Sequence, residues 1–346
     1  MINYKLSLLI PSWNNEKYIM DCVKSLLEND YQNYEIILIA GGSGNDKSYK
    51  TAFRLQEKYP DKVIAIKQQK ANKNAALNLG LNQTTGDIIV LTDIDCLYQK
   101  NWLRKINKIF QNKKYNIITS HFLPFPNQNS PLAEFNNIMN GKNLVGCCES
   151  GNVIIGNKLC GANSMFRKEV FLKKIGKFDE TIPTGDDKVL GISFNKKGEK
   201  IFYFPELYIY SECFSSNLKM YIKHRIRWAR DLLINSLLTT QIFKLIIAFS
   251  ISLFKLFYPF TAVIIWLLYF NLSFLWLFVL LSPWILFFLF YHVFFYFKLK
   301  RITKFVNPKL DFSYSYKKAF KAIPILFFAY AIITIISLIY PKRSKW

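Results

Sequence analysis

Asp93 and Asp95 stand one residue apart at the end of the apolar run Ile88 to Leu91, in the stretch GDIIVLTDIDCL. Residues two apart in an extended chain point to the same side, so these carboxylates repel each other unless one is protonated or a cation lies between them. A hard divalent ion would satisfy both. A second acidic pair, Asp186 and Asp187, sits in TGDDKVL, just before an amphipathic stretch in which an aspartate would also make a good helix N-cap. A third constellation is HRIRWAR, His224 to Arg230. Guanidinium suits two-pronged phosphate contact and an indole face suits a sugar ring, while the same segment read as a basic helix would lie on lipid phosphates.

The surrounding pattern says what must position these groups. The apolar segments YKLSLLIPSWN, YEIILIAGGSG, KVIAIKQ and DIIVLTD read as strands, and helical spacing covers Glu16 to Glu28, Asp46 to Lys58 and Asn72 to Leu81 between them. Alternation of this kind predicts an α/β unit with a mostly parallel sheet covered by helices. Ligands of such sheets bind beyond the carboxyl ends of the strands, which is where Pro11 to Asn14, Gly41 to Gly44 and Asp93 to Asp95 fall.

The composition changes near residue 241, and almost nothing from Leu245 to Phe297 is charged except Lys255. At about 20 residues per crossing, three spans are expected, about 245–268, 272–297 and 322–340, with a turn at Asn271. The globular part is expected over residues 1–240 and a helical membrane domain over 241–346. Residues 1–15 lack the charge pattern and small-residue cleavage site of a secretory leader, and Lys298, Lys300, Arg301, Lys304, Lys309, Lys317, Lys318 and Lys321 crowd the loop after the second span. Both put the globular part on the cytosolic face of a multi-pass cell-membrane protein. The tail cations Lys342, Arg343 and Lys345 run against the positive-inside bias of that topology.

A net charge of +23 raises the question of nucleic acid. The lysines are scattered and accompany no helix-turn-helix, RNA-binding or zinc signature, so no nucleic-acid partner is expected, and anionic lipid headgroups suit these cations better. Cys22, Cys96, Cys147, Cys148, Cys160 and Cys213 form no CxxC pair and read as reduced, structural thiols.

Taken in order, LSLLIPSWNNEKYIMDCVKSLL, EIILIAGGSGNDKS and NKNAALNLGLNQTTGDIIVLTDID resemble the nucleotide-binding half (about 1–105) of the family 2 inverting glycosyltransferases with the GT-A, Rossmann-like fold. GANSMFRKEVFLKKIGKFDETIPTGDDKVLGISFNKKGEKIFYFPE and HRIRWAR resemble the acceptor half, about 106–240. The resemblance implies Asp95 as ligand of Mg or Mn and Asp93 as a contact to the donor. It implies Asp187 as the general base, with Asp186 beside it, Arg227 on the diphosphate and Trp228 near the acceptor sugar. Pro11 and Ser12 correspond to the corner under the nucleobase, Lys73 to the lysine before the AALN helix, and Gly161 and Asn163 to a strand near the donor sugar.

Two departures stand out. Ala40 and Gly41 replace the acids that in the family contact the base, so neither uracil nor guanine is chosen, and His224 stands where the family has glutamine. The implied function is transfer of a sugar from a nucleotide-diphosphate sugar to a membrane lipid, a lipid-linked sugar or a glycan hydroxyl. The alternatives are a polyprenyl-phosphate sugar synthase, a processive polysaccharide synthase and a non-enzymatic membrane scaffold.

Overall fold

The structure is a computed structural model that describes residues 2–123, 130–140, 154–156, 159–182, 185–211, 218–238, 242–269, 274–307 and 313–339. The chain forms two compact units, 1–125 with 143–213 and 345–346, and 126–142 with 214–344.

In the first unit the order is β1 (Leu6–Trp13), α1 (Glu16–Leu27), β2 (Tyr34–Gly41), α2 (Ser48–Lys58), β3 (Val63–Lys67), α3 (Lys73–Leu81), β4 (Ile88–Thr92), β5 (Cys96–Leu97), α4 (Trp102–Phe110), β6 (Ile117–Thr119) and β7 (Phe122–Leu123). After α5 (Pro131–Asn140), which belongs to the second unit, come β8 (Ile154–Gly156), β9 (Asn163–Arg167), α6 (Lys168–Lys174), α7 (Asp186–Lys196), β10 (Ile201–Tyr203) and β11 (Ile209–Ser211). The main sheet has the strand order β3-β2-β1-β4-β9-β6-β10-β8, and β5-β11-β7 make a smaller one. The expected mostly parallel arrangement holds for β1, β2, β3 and β4, whereas β9 enters antiparallel between β4 and β6.

Strand alternation divides the apolar residues between two cores. Leu8, Ile10, Ile36, Leu38 and Val90 face one side, with Val23 and Leu26 of α1 and Trp102 and Ile106 of α4; Leu9, Ile37, Ile39 and Leu91 face the other, with Leu77 of α3 and Phe194 of α7. Period-2 residues buried on both faces are what a helix-covered sheet requires.

Beneath the sheet, at the start of the strands, a buried acid ties three segments together. Glu35 Oε1 accepts from Ser7 Oγ at 2.6 Å and from Thr85 N–H at 2.7 Å, while Oε2 accepts from Thr85 Oγ1 at 2.7 Å and pairs with Lys5 Nζ at 2.8 Å. Burial pushes this carboxyl up, but Lys5, Ser7 and Thr85 together outweigh it and hold it down at about 2. The folded value lies below the unfolded one of about 4.3, so the stabilisation is complete above that value and is lost as pH falls toward the folded value. Glu35→Gln is expected to cost about 1–3 kcal/mol at pH 7, because the amide places a donor against donors. The melting midpoint of the variant should fall less than that of the wild type between pH 5 and about 2.5. Parallel acid profiles would remove this role.

The second unit is helical: α5, α8 (Leu218–Leu238), α9 (Ile242–Tyr269), α10 (Phe274–Val306), α11 (Tyr316–Phe320) and α12 (Ile323–Ile339). Ile246–Tyr269 and Phe274–Lys304 are long and apolar enough to cross a bilayer. The third expected span is helical but shorter: α12 has 17 residues, about 25 Å at 1.5 Å per residue, and buries Leu326, Phe327, Ala331 and Ile333 within the unit. Asn271, Lys309 and the tail cations lie outside the described residues.

Proline interrupts both long helices, and each freed carbonyl finds a donor. Pro259 cannot donate to the Lys255 carbonyl, which accepts instead from Trp284 Nε1 at 3.1 Å; Pro283 releases the Val279 carbonyl, which accepts from Ser282 Oγ at 2.8 Å. Such substitutions are what allow proline at bilayer depth, where water cannot fill the vacancy.

Candidate active site

Strand directions bring distant segments to one edge of the main sheet. β1, β2 and β4 are parallel and end there, and because β9 is antiparallel to β4, its first residue, Asn163, pairs with the last residue of β4, Thr92. Asp93, just past β4, and Gly161, just before β9, therefore become neighbours.

Lys73 joins the acids across this edge. It opens α3, whose N-terminus is capped by Asn72 Oδ1 accepting from Ala75 N–H at 3.0 Å, and its Nζ reaches Asp93 Oδ1 at 2.6 Å. Gly161 N–H donates to Asp187 Oδ2 at 3.1 Å, and Lys188 N–H donates to Asp187 Oδ1 at 2.7 Å. A Cβ on Gly161 would lie 3.3 Å from Asp187 Cβ, close enough that Asp187 would have to give by a few tenths of an ångström, and in ordinary contact with Lys73 Nζ at 3.5 Å. Asp95 takes a hydrogen bond from Ser211 Oγ of β11 at 3.3 Å on Oδ2, which ties it to the smaller sheet.

The charges explain one another. Burial alone would lower the Lys73 ammonium, but the Asp93, Asp186 and Asp187 carboxylates outweigh it and hold the lysine above its ordinary range. Burial, then the neighbouring Asp93 charge, pushes Asp95 up. Burial, then Asp186, pushes Asp187 up against the pull of Lys73 and two backbone N–H groups. A proton acceptor raised toward neutrality is better matched to deprotonating a hydroxyl than an ordinary aspartate.

Among the described residues no three His, Cys, Asp or Glu side chains group to hold a metal by themselves. The donor set still fits one. Asp93 is engaged by Lys73, which leaves Asp95 as a partly buried carboxylate whose raised state a cation would relieve. Mg and Mn are commonly held by one or two carboxylates with substrate phosphates supplying the rest.

Several expected residues have different surroundings from those anticipated. Asp186 and Asp187 do not cap α7: Gly185, at φ 71°, is the N-cap, and the two acids occupy the first turn, where the helix dipole favours negative charge. Asn163 is fully buried, its amide donating to the His121 carbonyl at 3.0 Å and the Leu207 carbonyl at 2.7 Å. Its side chain braces β9 in the core instead of facing the crevice, because the antiparallel pairing turns it inward. Pro11 and Ser12 are buried in β1. Gly41 leaves no room for an acid: a Cβ there would lie 2.4 Å from the Gln68 carbonyl oxygen and 2.9 Å from the Trp13 ring. Trp13 thus fills the place of the missing side chain, a link that sequence reading missed because only the fold sets β1 beside β2.

Arg227 and Trp228 lie on α8, in the second unit. There the Arg225 guanidinium lies 5.2 Å from the centre of the Trp228 ring and 5.1 Å from that of Tyr221, and donates to Asn136 Oδ1 at 2.9 Å. A cavity of about 660 Å³ along α3, lined by Lys67, Gln68, Lys70, Asn78 and Glu180 among others, contains none of the four aspartates.

Residues 4–231 match the family described as glycosyltransferase like family 2, which is more than half of the chain. The chain belongs to that family. An uncharacterised glycosyltransferase of Nostoc sp. is 30% identical over 107 residues, 31% of this chain and 33% of that protein, so the chain matches about a third of that relative's length. The Methanococcus voltae dolichyl N-acetyl-alpha-D-glucosaminyl phosphate 3-beta-D-2,3-diacetamido-2,3-dideoxy-beta-D-glucuronosyltransferase is 26% identical over 242 residues, 64% of this chain and 71% of that protein. The minor teichoic acid biosynthesis protein GgaB of Bacillus subtilis is 26% identical, covering 56% of this chain and 21% of that one. Among solved structures, a Pyrobaculum calidifontis mannosyltransferase in complex with GDP-Man and Mn2+ superposes with a TM-score of 0.55 at 16% identity, over 99% of this chain and 89% of that chain. The GT-A fold is therefore present in this member of the family.

Proposed function

We propose that this glycosyltransferase moves one sugar, with inversion, from a nucleotide-diphosphate sugar to a hydroxyl of a lipid-linked acceptor, working at the cytosolic face of the membrane that its apolar helices enter. The observation that carries this reading is the cluster in which Lys73 holds Asp93 at 2.6 Å while Gly161 holds Asp187 at 3.1 Å. These contacts support reading Asp93 as the donor-side acid, Lys73 as the cation beside it and Asp187 as the base. Support for the acceptor class comes from the Methanococcus voltae relative, whose name places a sugar on a dolichyl phosphate-linked sugar.

In this mechanism Asp93 and Lys73 orient the donor at the carboxyl ends of the strands. Asp95 would hold Mg or Mn, which when bound supplies positive charge to the departing diphosphate. Asp187, its lone pairs aligned by the Gly161 and Lys188 N–H groups, takes the proton of the acceptor hydroxyl as that oxygen attacks the anomeric carbon from the face opposite the diphosphate.

The test is to incubate membranes holding the protein with a panel of nucleotide sugars, each with Mg, Mn or chelator, and to measure nucleotide release. Metal-dependent release from one donor supports the reading. Release from none, with folded protein, overturns it.

A further inference from the structure

Lys255 is the charged residue that the catalytic reading leaves unused. It lies on α9 and is 7% exposed, although α9 is otherwise strongly apolar. Its Nζ sits 4.5 Å from the ring centre of Tyr291, 4.7 Å from Phe327 and 5.9 Å from Phe287, so it is enclosed by α10 and α12. Among the described residues no carboxylate pairs with it and no oxygen accepts from its Nζ. A lysine inside a bilayer is costly. Aromatic faces offset part of that cost, but they offer no oxygen to the three N–H donors.

The direction of the side chain says what could. The backbone of Lys255 is level with Trp284, which donates to its carbonyl, yet the amine reaches Tyr291, about two turns further along α10 toward its basic end. Phe327 lies only four residues into α12, about 6 Å from the start of that helix. Lys298, Lys300, Arg301 and Lys304 follow on α10, and Lys317, Lys318 and Lys321 precede α12. The lysine therefore snorkels toward a basic rim and ends one to two turns below it. From Phe327, Tyr330 lies one turn on, and its hydroxyl accepts from Tyr221 of α8 at 2.9 Å; Tyr221 in turn carries Arg225 on its ring face. Phenols and cations thus follow one another from Lys255 by way of Tyr330 and Tyr221 to Arg225.

We propose that Lys255 is the inner anchor of a subsite for a lipid-borne phosphate, that of the isoprenoid carrier to which the acceptor sugar is attached. The proposal rests on the lipid-linked acceptor reading above and names the chemical group by which that acceptor is held. The outer lysines serve any anionic headgroup, whereas a cation enclosed by three helices admits one phosphate with its chain beside the bundle.

The experiment uses the full chain in detergent. Native mass spectrometry would score binding of a polyprenyl monophosphate, the corresponding neutral polyprenol and phosphatidylglycerol to the wild type, Lys255→Met and Lys255→Arg, with donor binding measured on the same samples. The expected result is that the wild type prefers the polyprenyl phosphate over the polyprenol by at least about tenfold, that Lys255→Met loses this preference, and that Lys255→Arg keeps it. Phosphatidylglycerol binding and donor binding should be the same in all three proteins. Equal binding of phosphate and polyprenol by the wild type overturns the proposal without need of a variant. So does undiminished preference in Lys255→Met, or a parallel loss of phosphatidylglycerol, which would mark a bulk headgroup site. Donor binding that is absent throughout would instead strike the catalytic reading, which keeps the two failures apart.

Discussion

Asp187→Asn is expected to lower turnover by about two to four orders of magnitude while nucleotide-sugar binding survives, because the amide keeps the size of the side chain but cannot take a proton. Both carboxylate oxygens now accept backbone N–H groups, from Gly161 and Lys188, so the amide must turn its NH₂ toward one of them. A melting loss equivalent to about 1 kcal/mol should therefore accompany the catalytic loss. Asp187→Ala separates the two effects: it removes both bonds, so it should melt lower than the asparagine variant yet turn over no better. Donor affinity is read by calorimetry and transfer by product formation. If Asp187→Asn transfers to a lipid phosphate at the wild-type rate, the acceptor is a phosphate that needs no base, and the protein is a polyprenyl-phosphate sugar synthase.

Asp95→Ala should abolish metal-stimulated transfer, by at least about a hundredfold, yet leave the fold as stable as before or slightly more so. The sign of the stability change follows from the site. Burial and the Asp93 charge both oppose ionisation of Asp95 and outweigh what favours it, namely its own backbone N–H, the Lys73 ammonium and a long hydrogen bond, 3.3 Å, from Ser211. Removing the acid removes that repulsion. The check is a melting curve with and without Mn and nucleoside diphosphate: the pair should raise the midpoint of the wild type and leave Asp95→Ala unmoved. A variant that keeps the ligand-induced rise would show that the ion, if bound, is held elsewhere.

How much of this was visible in the sequence depends on the range of the interaction. β1 to β4 follow from apolar runs with glycine or acidic ends, and α1 to α3 from 3.6-residue spacing, because each signal is contained in a dozen residues. The paired acids are legible for the same reason: like charges placed together at a strand end are locally unfavourable and so call for an explanation. What the sequence hides is the pairing of distant segments. The antiparallel entry of β9 has no local signature, yet it decides that Gly161 meets Asp187 and that Asn163 points inward. The smaller sheet is built from strands of two or three residues, too short for any alternation to show. The packing of Trp13 against Gly41 depends on the parallel register of β1 and β2, and the Trp284 bond to the carbonyl freed by Pro259 joins two helices.

The insertion of β9 also sets an order of assembly. Strands β1 to β4 pair among themselves, so every strand on which the edge bearing Asp93 is built lies within the first 92 residues. The start of β9 and the turn bearing Asp187 emerge later, and Thr92 must await Asn163 from 71 positions downstream. Closing so long a loop is entropically costly, and at synthesis rates of roughly 5–20 residues per second the wait lasts several seconds. During that interval the crevice has one carboxylate wall and lacks the other. In chain order, then, the wall bearing Asp93 precedes the wall bearing Asp187, and the two meet only when β9 completes the sheet through its middle.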